Sequence, residues 1–168
     1  MKLHATPILL LALLSGCADG PAPPMFCPKV NVLEQAQSLT LFLPGRTDVS
    51  GQITTAQITG VAGACTLQPK KHLLTVSFQA GFAASDGPAD NGAALVLPYF
   101  VAITRDDKII SKADYTIRLA FDGNESTAQA TSKPLKIQLS NAEQNADVQV
   151  LVGFELTPAE LGHNAAQP

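Results

Sequence analysis

Cysteine and histidine are the residues best suited to chemistry here, and their spacing narrows what that chemistry can be. Cys17, Cys27 and Cys65 are too far apart to form a Cys-x-x-Cys redox motif. His4 lies in the amino-terminal apolar segment, and His72 and His163 are widely separated. None has the spacing to cysteine or carboxylates that a metal centre requires, so neither metal nor cofactor is expected. Asp86 to Asn91 holds two aspartates and an asparagine, but lacks the ordered ligand positions and distal glutamate of a calcium loop. It reads as a solvated turn. Asn124-Glu125-Ser126 matches a glycosylation sequon, a short pattern that chance supplies readily. No Gly-x-Ser-x-Gly elbow, phosphate-cradling glycine loop or His-Glu-x-x-His helix occurs, so no enzyme is expected.

Cys17 has a different context. Lys2 precedes a short apolar run, Ile8 to Leu14, followed by Ser15, Gly16 and the cysteine. The run has the length of a secretory h-region and falls short of the roughly 20 residues of a transmembrane helix. Leu14-Ser15-Gly16-Cys17 resembles the lipobox of bacterial lipoproteins. The resemblance implies a signal peptide over 1–16, cleavage before Cys17, and fatty acyl chains such as palmitate on its sulfur and new amino group. Each buried methylene is worth about 0.8 kcal/mol, and two or more chains hold a protein stably at a membrane. The alternative is an ordinary secretory signal that leaves Cys17 a plain thiol. Ala18 directly after the cysteine, with Asp19 one later, favours the outer membrane, facing the periplasm, by analogy with such lipoproteins.

Removing the signal leaves about 150 residues, the size of one domain. The formal charge of −3 and the lack of a basic block argue against nucleic acid as a partner. Residues 17–28 form a lipidated tether rich in proline and glycine, a short semi-rigid spacer. With Cys17 acylated, Cys27 and Cys65 form an even pair in an exported chain, which reads as a disulfide. Two buried free thiols are the alternative.

These groups must be carried by strands. Leu74, Val76, Phe78, Ala80 and Phe82 alternate with polar or small residues, as do Tyr115 to Phe121, Leu135 to Leu139 and Val148 to Leu156. Period two predicts half-buried β-strands. Weaker candidates are Ser38 to Leu43, Ile53 to Val61 and Lys108 to Lys112. Turn-forming residues between them predict an all-β antiparallel sandwich over 29–157, immunoglobulin- or fibronectin-like, with about eight strands. A small closed barrel is the alternative. Thr157-Pro158-Ala159-Glu160 reads as a capping box opening a short helix, with a frayed tail from His163 to Pro168.

Leu95 to Ile103 departs from alternation, because Val96, Phe100 and Ala102 are apolar too. Pro98 cannot donate to a ladder, so this strand is expected at an edge or bulged at Pro98. A central core strand carrying a bulge is the first reading. A docking edge is the second, with Pro98, Tyr99 and Phe100 as candidate partner contacts.

Four segments carry a further resemblance: Cys27-Pro28-Lys29-Val30 with Leu33, Cys65 after a glycine-containing strand, Leu97-Pro98-Tyr99-Phe100-Val101-Ala102, and Leu151-Val152-Gly153-Phe154-Glu155-Leu156-Thr157. In this order they resemble small, uncharacterised proteobacterial cell-envelope lipoproteins. That implies location, disulfide and fold, and no reaction. The function expected is a non-enzymatic, lipid-anchored structural or protein-interaction module that contacts the membrane through Cys17 and an envelope protein through a sandwich face or edge. A periplasmic carrier of a lipid or other apolar small molecule is the alternative, and an envelope hydrolase is third.

Overall fold

The structure is a computed structural model and describes residues 26–123, 125–140 and 147–166. Cys17, the signal segment and Asn124 lie outside the described residues. Among the described residues nine strands and one α-helix follow in order: β1 (Lys29–Val32), β2 (Ser38–Phe42), β3 (Gln52–Gln68), β4 (Leu73–Asp86), β5 (Leu95–Arg105), β6 (Lys108–Leu119), β7 (Thr127–Thr131), β8 (Leu135–Ser140), β9 (Val148–Phe154) and α1 (Pro158–Ala165).

The strands form two sheets, so the fold is an all-β sandwich. One sheet has the order β1-β9-β5-β6, with β1 parallel to β9 and the other pairs antiparallel. The second has the order β2-β3-β4-β7, and β8 also pairs with β4. β7 and β8 lie end to end along β4, separated by Ser132-Lys133-Pro134. Ser132 bridges this break while buried. Its N–H donates to Ala80 O at 2.8 Å, and its Oγ accepts from Ala80 N at 3.0 Å. The orphaned backbone groups of Ala80 are thereby satisfied where proline could not donate.

The predicted alternation is realised most plainly in β4, where Leu74, Val76, Phe78, Ala80, Phe82 and Ala84 are all buried. They meet Val148, Val150, Val152 and Phe154 of β9 and Leu97, Tyr99 and Val101 of β5 in one core. The Phe82 ring sits 5.0 Å from Tyr99 and 5.9 Å from Phe154. Each such large apolar side chain contributes roughly 1.5–3 kcal/mol through removal from water. The two candidate segments at Lys108 to Lys112 and Tyr115 to Phe121 fuse into one strand, β6. The candidate at Ile53 to Val61 extends into the long β3.

β5 is central, flanked by β9 and β6. Its irregularity falls at Ile103/Thr104, where the β6 register shifts, and not at Pro98. The reason is local. The Pro98 carbonyl accepts from Glu155 N at 3.1 Å, so at this residue the backbone groups face the β9 side. The β9 ladder reaches only to Tyr99 opposite Phe154, so the missing N–H breaks no strand pairing.

The helix α1 carries the predicted capping box, with Glu160 N donating to Thr157 Oγ1 and Thr157 N to Glu160 Oε2. It does not fray at His163. The His163 ring stands edge-on to Phe42 at 5.2 Å, and Asn164 Nδ2 donates to Ser38 O at 2.8 Å. These contacts hold the last turn against the edge strand β2.

Candidate functional site

Cys27 and Cys65 are joined by a disulfide with their Cα atoms 5.9 Å apart. Cys27 lies two residues before β1 and Cys65 lies in β3, so the bond ties the start of the domain across both sheets. Beside it a concavity of about 480 Å³ is lined by Lys29, Asn31, Asp106, Asp107, Asp147 and Gln149 among others. That lining is polar and charged, which does not favour an apolar ligand.

The other chemically suggestive residues are dispersed. His72 occupies the turn between β3 and β4, whereas His163 lies on α1. Among the described residues no group of three or more His, Cys, Asp or Glu could hold a metal ion. Asp90 Oδ2 accepts from Gly92 N and Asn91 Oδ1 from Ala93 N, so both side chains serve the turn itself.

The three candidate contacts on β5 have separate fates. Tyr99 is 3% exposed and points into the core. Burial raises its phenol above the ordinary value, Tyr115 adds to that, and a hydrogen bond with Ser132 opposes it. A residue so placed cannot meet a partner. Pro98 is exposed and Phe100 half-buried, both on the outer face of the sheet. Lys112 Nζ lies 5.0 Å from the centre of the Phe100 ring and 2.5 Å from Glu155 Oε2, with Asp114 Oδ1 at 3.3 Å. The hydrogen bond that Lys112 donates to Glu155 raises the ammonium above its ordinary value, and Asp114 reinforces it.

The more open feature is the neighbouring strand. Among the described residues β6 ends its sheet, and all of Lys108 to Thr116 is exposed on both faces. Ile109 is 66% exposed, Ile110 51% and Tyr115 37%. Tyr115 stacks on Tyr99 at 5.4 Å, which anchors the strand to the core while leaving its far side in solvent. The backbone orientation can be derived. Because the Pro98 carbonyl faces Glu155, its register partner Thr116 turns its own N–H and C=O away from β5. Successive residues of a strand alternate in this respect, so Asp114 and Lys112 also turn their backbone groups outward, with no partner among the described residues.

Of the two readings of Leu95 to Ile103, the central strand with a bulge is the one found, and the sheet ends one strand later, at β6. The available signal was the run Lys108-Ile109-Ile110-Ser111-Lys112-Ala113-Asp114, where two isoleucines sit among charges without a clean alternation. Charged residues on a strand are how exposed edges are kept from pairing indiscriminately.

Compared with protein-family models, curated proteins and solved structures, the chain matches none.

Proposed function

We propose that this protein is a lipid-anchored, non-enzymatic structural or protein-interaction module of the bacterial cell envelope. In this reading Cys17 holds it at the outer membrane, on the periplasmic side. Residues 18–28 supply reach, and the disulfide fixes the domain at the end of that tether. The observation that supports it best is the open edge of β6, with exposed Ile109, Ile110 and Tyr115 beside free backbone groups. An extended partner segment can add to such an edge, gaining main-chain hydrogen bonds while its side chains read the neighbouring ones.

A photo-activatable cross-linker placed at Ile109 in intact cells tests the edge, and Cys17→Ser tests the anchor. The expected results are a defined protein adduct from Ile109 and release of the Cys17→Ser protein into the aqueous fraction. No adduct from the edge, or a variant that stays with the membrane, counts against the corresponding half of the proposal.

A further inference from the structure

An unpaired strand edge is completed by another strand, and the charges along β6 favour one strand in particular. We propose that two copies of this chain pair antiparallel through β6, about a two-fold axis at Ala113. The inference rests on reading β6 as a docking edge and names its occupant.

Hydrogen-bonded pairing across the edge must use the residues whose backbone groups point outward: Lys112, Asp114 and Thr116. Centred on Ala113, the pairing sets Lys112 opposite Asp114 of the second copy, and Asp114 opposite its Lys112. Both charge pairs are formed at once by the symmetry. Shifting the register by one step either way confronts Lys112 with Lys112 or Asp114 with Asp114. Like charges directly opposite each other are destabilising, so the alternatives are disfavoured by the same residues that favour this one.

The rest of the strand is compatible. Ala113 at the axis has a small side chain, which lets the two strands approach. Ser111 then faces Tyr115 of the other copy, a polar neighbour beside a phenol that is already exposed. The register shift between β5 and β6 leaves Ile110 as an extra residue opposite Ile103/Thr104, which ends the regular edge before Lys108 could meet Arg118. In this arrangement Lys112 keeps Glu155 of its own chain and gains the Asp114 carboxylate of the other.

Ala113 would sit in a non-hydrogen-bonded pair, where the facing Cα atoms are about 4.5 Å apart. That separation falls within the range a disulfide spans. The experiment is therefore Ala113→Cys in the full chain, expressed in its native compartment, with dimers read on a non-reducing gel. A disulfide-linked dimer is expected. Adding Asp114→Lys should lower the cross-linked fraction about tenfold, as should adding Lys112→Asp. Co-expressing those two reversed chains should restore the link between them, because each then faces its opposite charge. The restoration also excludes simple misfolding as the cause of either loss.

A monomeric Ala113→Cys protein overturns the self-pairing. If Ala113→Cys instead joins a different protein, the self-pairing falls while the docking-edge reading stands. Absence of any adduct both here and from Ile109 removes both.

Discussion

The Phe100 ring occupies the space that a side chain at residue 153 would need. Phe100 and Gly153 are register partners across β5 and β9 on the outer face of the sheet. A Cβ built on Gly153 would lie 2.8 Å from Phe100 Cζ and 2.8 Å from Ala36 Cβ. The glycine thus lets the aromatic ring and the short helical turn at Glu34–Ala36 lie flat on the sheet, beneath Lys112. Gly153→Ala is expected to destabilise the domain by about 1–3 kcal/mol, since both neighbours must move. Phe100→Ala in the same chain should recover part of that loss, which a thermal or urea double-mutant cycle measures.

Tyr99 lies between Phe82 and Tyr115 and reaches Ser132 at the break between β7 and β8. Tyr99→Ala is expected to cost roughly 3–5 kcal/mol in equilibrium unfolding, as for other large buried aromatic truncations. Tyr99→Phe should cost far less, because only the hydroxyl and its bond are lost. An equal loss in both would place the phenol oxygen, and not the ring, at the centre of the effect.

The Cys27–Cys65 bond closes a 38-residue separation. Cys27→Ser with Cys65→Ser is expected to cost about 2–4 kcal/mol, mainly through greater freedom of the unfolded chain. Calorimetry under oxidising and reducing conditions checks it. The wild type should lose a similar amount on reduction, and the double variant should be insensitive to reductant.

Lys112 and Asp48 predict opposite pH dependences. The Lys112 ammonium is raised by its hydrogen bond with Glu155, so its contribution is complete below the ordinary lysine value of about 10.4. It is lost as pH rises through the higher folded value. The Asp48 carboxyl is held well below the usual carboxylate range by hydrogen bonds from Arg46 and Ser50. Its contribution is present above about pH 3.9 and declines as pH falls toward the depressed folded value. Both groups are exposed enough for solvent to screen them, so the effects should be small. An NMR titration should show Asp48 protonating only well below the usual carboxylate range, and unfolding measured against pH should show Lys112→Met reducing the alkaline loss to the part that buried Tyr99 contributes.

Much of the fold was legible because strand burial is a local pattern. The alternation from Leu74 to Phe82 requires a strand with one buried face, whatever lies beyond it. The same holds for Val148 to Phe154, and Thr157 to Glu160 states its helix start within four residues. Pro98 misled because a missing N–H matters only relative to the strand it faces. No local pattern says that β9 stops one residue short of it.

Chemistry followed the same division. The amino acids themselves show no recognisable catalytic or metal-ligand spacing and carry the two-faced strands that make a sandwich, whereas the bond between Cys27 and Cys65, one of two readings open to the sequence, is seen in the folded chain. Which strand became the edge was settled only in three dimensions. β9 returns from the end of the chain to lie between β1 and β5, which encloses Tyr99 and leaves β6 with one neighbour. Edge and centre differ in long-range pairing, and long-range pairing is a property of the assembled sheet, where hydrogen bonds and buried area are shared among segments far apart in the chain.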